Sequence, residues 1–439
     1  MLKNEQIVDF SSAKVPVLNF FIAVVFTKLY KYVIMEVWRS LMLVDISVKN
    51  FRSVKEKQTL TFEALRDNRL DDSRVVSVDE KTKLIKTVAI VGPNGAGKST
   101  IVRAIEAVKA ILTAKEEEEN PLRSLIGNSF AYGETKGKPS EISITFVVNG
   151  KITYYTIVAD MHRIYSESLF QKIDGLRRKL FVRTYLAEED KYKLNFGKYY
   201  VGEKRKATHK LKANRAFLQV AAQKSTIEEG DVNKEVMSWF TDVLDVKPVG
   251  FAQGSEMFLV DMLTKHPDWG KKIVDFLWSC DITDVKEIGV QGGHPIFVHA
   301  NVSQKYGAFF SGESLSLRRL STIAASYFEA FTKNKVMFFD DFGMMLHPSV
   351  VSHAAELFEG ADNVKNSQLI VVDCNPSLLK NNLLRRDGIY FAEKQNDSST
   401  HYYSLADFKS AGSKQNVQVD YLNGAFGALP LVSDFRFDS

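Results

Sequence analysis

Five strand-forming residues, Thr87-Val88-Ala89-Ile90-Val91, run straight into Gly92-Pro93-Asn94-Gly95-Ala96-Gly97-Lys98-Ser99-Thr100, and no other segment narrows the fold so far. The apolar run has the length of a buried strand, and Ile101–Ala114 behind the loop repeats apolar residues at helical spacing. A strand, a glycine-rich turn and a helix in that order make an anion cradle. Glycines let the turn curl until successive N–H groups face one point, and the helix N-terminus adds partial positive charge there. Gly92-x4-Gly97-Lys98-Ser99 is the complete Walker A pattern in its required setting. Lys98 is expected on the β- and γ-phosphates of a nucleoside triphosphate, taken as ATP, and Ser99 on Mg2+. A turn that bound nothing would need neither side chain.

A second short apolar run, Val336-Met337-Phe338-Phe339, ends in Asp340-Asp341. Read with the phosphate loop, this is a Walker B strand. Asp340 is expected to accept from a water on Mg2+, and Asp341 to lie nearest the attacking water. A helix N-cap or a solvated loop carboxylate is the plainer reading of each. Leu346-His347-Pro348 follows, with His347 either supporting the site or capping a helix.

Around these motifs the chain alternates between strand and helix signals. Leu43–Val48 and Gln58–Phe62 read as an antiparallel pair, and Glu141–Phe146 and Lys151–Val158 as a hairpin closed by Asn149-Gly150, a type I′ signal. Asp261–Ser279, Leu317–Phe331 and Val350–Phe358 read as helices. Leu369–Val372, Gly388–Phe391 and Thr400–Tyr403 read as strands. Between about Arg177 and Lys247 the sequence turns long, charged and mostly helical, which suggests an inserted lobe. There Lys193, Lys198, Lys204, Arg205, Lys206 and Lys210 are interleaved with Tyr192, Phe196, Tyr199 and Tyr200. That mixture suits contact with DNA or RNA, and equally a solvated helical arm or a docking face for an effector protein.

With 439 residues, 45% hydrophobic and 25% charged, the chain has the composition of a globular protein, and its net charge of +5 permits a nucleic-acid partner without requiring one. Two cysteines without paired spacing, Cys280 and Cys374, exclude a disulfide framework and a cysteine zinc site, so a cytoplasmic location is the expectation. The apolar run Val15–Phe26 contains Asn19 and is closed by Lys28. It falls short of the roughly 20 residues of a membrane span. It reads as a buried or peripheral element, an extension upstream of a domain beginning near Met42, or a membrane-associated segment.

Several segments together resemble one family. Asn50-Phe51-Arg52-Ser53 followed by the phosphate loop, Asp340–Pro348, Gln368-Leu369-Ile370, Leu384–Ile389 and the tail from Tyr402 to Pro430 are similar to the OLD-like and SMC-like group of AAA/ABC-type ATPases. That group is found in bacterial anti-phage systems of the abortive-infection and PARIS-like kind. The resemblance implies an α/β fold: an ABC-ATPase-like head with a mixed β-sheet core and a phosphate loop, carrying an inserted, largely helical lobe. The corresponding division is 1–41 as an extension, 42–176 and 291–439 as the two parts of the head, and 177–290 as the lobe. It also implies a homodimer or higher homo-oligomer, with ATP held between the phosphate loop of one head and the signature segment of another.

At three positions the chain departs from the family pattern. The usual Asp-Glu is Asp340-Asp341, and a carboxylate on the shorter stem sits about 1 Å back, enough to cost roughly 100-fold. The signature Glu-Ser-x-Gly-Thr-x-Arg lacks its Gly and Thr within Ser311-Gly312-Glu313-Ser314-Leu315-Ser316-Leu317-Arg318-Arg319, where Ser311, Gly312, Glu313, Ser314 and Arg318 are the signature-like residues. The expected switch histidine is replaced in Val372-Asp373-Cys374 by Cys374. Binding is expected to survive and hydrolysis to be slow or partner-dependent. The readings are an ATP-gated sensor or scaffold controlling a separate effector or nuclease, an SMC-like DNA-repair or processing ATPase, and a degenerate structural ATPase. Clustered acidic metal ligands of a TOPRIM-like nuclease are not seen after the core, so intrinsic OLD-type nuclease activity is not expected.

Overall fold

In the computed structural model, which describes residues 41–65, 74–249, 251, 255–299, 307–408 and 416–433, Thr87–Val91 lies inside a six-stranded sheet. The strand order across that sheet is Leu244–Lys247, Val336–Asp340, Gln368–Asp373, Thr87–Val91, Ile389–Lys394, Thr400–Ser404. The first five are mutually parallel, and Thr400–Ser404 returns antiparallel. Along the phosphate-loop strand, Val88 and Ile90 enter one core while Ala89 and Val91 enter another. Phe338 and Phe339 divide in the same way, as do Ile370 and Val371. Burial on both faces explains why these strands are unbroken apolar runs rather than alternating ones.

One face is covered by the helix Thr100–Thr113 and by a second, seven-stranded antiparallel sheet. Its order is Lys191–Phe196, Leu176–Leu186, Ile164–Ile173, Lys151–Ala159, Ser140–Val148, Leu43–Lys49, Gln58–Thr61. Asn149 and Gly150 join two of these strands with φ of 49° and 72°, the two positive angles a type I′ turn demands. The side chain of Gln368 stitches the sheets together: it accepts from Leu43 N–H at 2.6 Å and donates to the carbonyls of Leu43 and Ile85 at 3.1 and 3.0 Å. The other face is covered by helices Trp269–Ser279, Leu315–Lys333 and Pro348–Glu359.

The mostly helical reading of 177–247 needs correction at its start. Leu176–Leu186 and Lys191–Phe196 are strands that extend the antiparallel sheet, joined through a single 3-10 turn at Ala187–Glu189, and α-helices begin only at Arg205. The lysines and arginines there disguised a β-favouring Phe-Val-Arg-Thr-Tyr-Leu core. Leu244–Lys247, within the expected lobe, is the edge strand of the central sheet. The single helix expected over Asp261–Ser279 is two, Glu256–Lys265 and Trp269–Ser279, parted at Pro267, which lacks an N–H and does not fit a helix interior. The N-terminal extension lies outside the described residues but for Leu41. Among the described residues, no helix is long and apolar enough to cross a membrane.

Candidate functional site

At the end of Thr87–Val91 the loop turns tightly against its neighbours. A methyl group on Gly92 would meet the carbonyl oxygen of Ala392 at 2.3 Å, so only glycine lets the two backbones lie this close. Gly97 has a φ of 96°, and a methyl group there would fall 2.0 Å from Thr400 Oγ1 and 2.3 Å from Ser53 Oγ. These hydroxyls form a chain around the loop. Thr400 Oγ1 lies 2.7 Å from both Ser53 Oγ and the carbonyl of Ala96, and Ser53 Oγ lies 2.8 Å from Thr100 Oγ1. Tyr402 donates to the carbonyl of Gly97 at 2.7 Å. Two strands and the turn after Lys49 thus hold the loop in shape before any ligand arrives.

A cleft of about 330 Å3 opens over the loop, lined by Asn94, Gly95, Gly97 to Thr100, Arg52, Ser53 and Asp341. Lys98 is buried, and its Nζ donates to the carbonyl of Pro93 at 3.0 Å, the resting contact of a side chain that phosphate oxygens would recruit. Ser99 Oγ donates to Asp340 Oδ1 at 2.8 Å, so the expected metal-binding hydroxyl and carboxylate meet. Asp340 is fully buried, and its Oδ2 has no hydrogen-bond partner among the described residues. Burial pushes its pKa above the ordinary carboxylate range; Asp341 adds to the shift and the Ser99 hydrogen bond opposes it. A buried carboxylate beside a hydroxyl, with one oxygen lacking a hydrogen-bond partner among the described residues, fits a divalent cation of the hard, oxygen-preferring kind.

Asp341 lines this cleft with a φ of 49°, in the left-handed region that Asp enters more readily than most side chains. The strand Gln368–Asp373 lies between the phosphate-loop and acidic strands, which brings its end to the site. Although Cys374 is exposed as a residue, partial burial of its thiol and the neighbouring Asp373 push its pKa up, while the charges of Lys98 and Asp341 also reach it. His347 caps the helix Pro348–Glu359, its Nδ1 accepting from Ser349 N–H at 3.3 Å.

The signature-like residues sit elsewhere. Ser311, Gly312 and Ser314 are exposed ahead of the helix Leu315–Lys333, none of them lines the cleft, and Ser314 caps that helix through Leu317 N–H at 3.2 Å. Glu313 binds His299 Nε2 at 2.8 Å. Arg318 lies over the ring of Phe310 at 5.7 Å, and its neighbour Arg319 is the one that turns inward to the acidic strand. Sequence reasoning passed over Arg319, Asp373, Thr400 and Tyr402. For the last two no spacing rule carries a signal, since the contact spans about 300 residues of chain.

The basic residues Lys193, Lys198, Lys204, Arg205, Lys206 and Lys210 are all exposed. The aromatic residues between them largely face the protein. Tyr200 is buried, Phe196 packs on the core, and Tyr192 lies under Arg183 at 4.1 Å. Lys193 stands on the edge strand of the seven-stranded sheet, where lysine also discourages pairing with another strand.

A family model described as an AAA domain matches residues 45–237, from the first described strand through the phosphate loop to the helix Val232–Ser238. No curated protein sequence matches the chain. Among solved structures, an SmcHead bound to the C-winged helix domain of ScpA is 15% identical, with a TM-score of 0.45 over 83% of this chain and 99% of that one. The SMC head domain from Thermotoga maritima is 12% identical, with a TM-score of 0.40 over 82% and 98%. A Smc head domain with an extended coiled coil, bound to the C-terminal domain of ScpA derived from Pyrococcus furiosus, is 14% identical, with a TM-score of 0.40 over 83% and 97%. The chain's own sheet order, five parallel strands and one antiparallel with the phosphate loop at the end of Thr87–Val91, is the expected α/β fold with a mixed sheet core.

Proposed function

We propose that the protein binds Mg·ATP over Gly92–Thr100 and hydrolyses it slowly, as the nucleotide-gated head of an assembly. The hydrogen bond from Ser99 Oγ to Asp340 Oδ1 carries this reading, because phosphate loop and acidic strand meet at the two groups that would share the metal. In this reading the loop N–H groups and Lys98 hold the phosphates, and Ser99 and Asp340 hold Mg2+. Asp341 orients the attacking water, and Mg2+ supplies the charge that stabilises the transferring phosphoryl group. Arg52 lines the same cleft and adds positive charge to it.

The wider role rests on the family resemblance of the sequence. The chain is a sensor or scaffold in a bacterial anti-phage system, associating head to head through the phosphate loop and the Ser311–Arg319 segment and controlling a separate effector or nuclease. The exposed basic residues from Lys193 to Lys210 serve as the contact for that effector or for nucleic acid. With most interleaved rings turned inward, the patch offers charge to a phosphate backbone or an acidic protein surface and little base stacking. An SMC-like DNA-processing role shares the same site and differs in that patch. Calorimetry with Mg·ATP, mass photometry with and without nucleotide, and a labelled-duplex shift at low and high salt test these points together. Undetectable ATP affinity would overturn the reading at its root. A salt-sensitive duplex shift lost on Lys193→Glu/Lys204→Glu/Lys206→Glu would favour the DNA-processing role.

A further inference from the structure

The turn that follows the acidic strand is held from two sides by buried charges that the reaction does not itself use. Arg319, one turn into the helix Leu315–Lys333, is fully buried. Its Nη2 donates to the carbonyl oxygens of Asp341 and Phe342, the latter at 2.9 Å, and its Nε donates to Phe342 at 3.3 Å. The guanidinium also lies over the ring of Phe339 at 4.8 Å. From the other side Asp373, also buried, accepts from Gly343 N–H through Oδ2 and from Asn375 N–H at 2.9 Å through Oδ1. Gly343 admits no side chain here, since a methyl group would meet Asp373 Oδ2 and Val351 Cγ2, both at 2.7 Å.

We infer that Arg319 and Asp373 are positioning residues that clamp the Asp341-Phe342-Gly343 backbone and so set where the Asp341 carboxylate points. A buried arginine is a costly way to fill a helix face, and an apolar residue would pack there more cheaply. What the charge supplies is direction. Carbonyls at 341 and 342 are drawn toward the guanidinium, the amide at 343 is drawn toward the carboxylate, and the two peptide planes between them are fixed. The fixed state holds Asp341 at a φ of 49°, at the start of a turn that the hydrogen bond from Met344 N–H to the Asp341 carbonyl also closes at 3.1 Å.

The clamp also joins two places on the surface. Arg319 stands four residues from Leu315, which is about 6 Å along a helix. Leu315 is itself exposed, and Ser316 Oγ donates to the carbonyl of Met345 at 2.7 Å, just past the clamped turn. A partner pressing on the exposed start of this helix moves Arg319 with it, and the carboxylate over the phosphate cleft follows. This deepens the proposed ATPase reading and rests on it.

The test is a mutant cycle with a structural readout. Arg319→Met is expected to lower kcat for ATP about 10- to 100-fold while KM stays within about threefold, as for a misplacement near 1 Å. Arg319→Lys should recover part of the loss by keeping one charged donor. In an Asp341→Asn background, Arg319→Met should cost nothing further, because both changes act through one carboxylate. Hydrogen exchange over residues 340–346 should quicken in Arg319→Met and in Asp373→Ala, with the phosphate-loop peptide unchanged. Unaltered exchange in that segment overturns the clamp whether or not the protein hydrolyses ATP. Equal loss in Arg319→Lys and Arg319→Met, or full additivity with Asp341→Asn, also overturns it. Absence of ATP binding in the wild-type protein defeats the ATPase reading instead, and the exchange data still decide the clamp.

Discussion

Ser99 and Asp340 are 241 residues apart in the chain and 2.8 Å apart in space, joined by a hydrogen bond from Oγ to Oδ1. The serine ends a phosphate loop and the aspartate ends a buried strand two positions across the sheet. Their meeting turns two separate motifs into one candidate metal site.

Lys98→Ala is expected to reduce Mg·ATP affinity by ~100-fold or more, from the loss of charge-assisted contacts to the terminal phosphates. Thermal stability should change little, since among the described residues the side chain's one hydrogen bond is to the Pro93 carbonyl. Calorimetry and a melting curve check both. Unchanged affinity would sink the assignment of the loop.

Asp340→Asn is expected to stabilise the nucleotide-free protein at pH 7 while removing metal-dependent binding. Burial raises the folded pKa of Asp340 above its unfolded value, so between the two values the native state holds the extra proton. Stability therefore falls as pH rises through this window, and above it the full cost of a buried charge is present. The melting advantage of Asp340→Asn should accordingly shrink as pH falls through the folded pKa. An advantage that is constant with pH would show that the carboxylate's charge is not the cause.

Wild-type turnover is expected below the ordinary enzyme range of about 1–10³ per second. Asp341→Glu should raise it, on the order of tenfold, by moving the carboxylate toward the water. A slightly lower melting temperature should accompany the change, because Asp341 has a left-handed φ that suits aspartate better than glutamate. Adding Cys374→His should raise turnover further and non-additively. Slower phosphate release from Asp341→Glu would mean that the backbone has already moved to suit the shorter side chain.

Thr400→Val removes the hydroxyl that joins Ser53 to the Ala96 carbonyl while keeping the side chain's shape. We expect a several-fold loss of ATP affinity, matching about 1 kcal/mol for one hydrogen bond in the loop's support. Gly97→Ala should be far worse, since its methyl group has no space at Thr400 and Ser53 and its φ of 96° excludes a side chain. A Thr400→Val protein that binds as wild type would show that the hydroxyl chain is not needed to shape the loop.

The sequence by itself determined the strand, loop and helix around Gly92–Thr100, the buried strands ending at Asp340 and Asp373, and the type I′ turn at Asn149-Gly150. In each case the physics is local: backbone angles that glycine allows, side chains whose period matches an element, runs of apolar residues that must be covered on both faces. It misread 176–196, because charges facing solvent and a β-favouring interior share those strands and the charges dominate the composition. Tertiary structure alone decided that Arg319 rather than Arg318 turns inward, that Thr400 and Tyr402 support the phosphate loop, and that Asp373 holds the Gly343 amide. These contacts depend on which strands the sheet places side by side. That order, with Gln368–Asp373 between the phosphate-loop strand and the acidic strand, is set by the summed packing of two cores rather than by any neighbour in the chain.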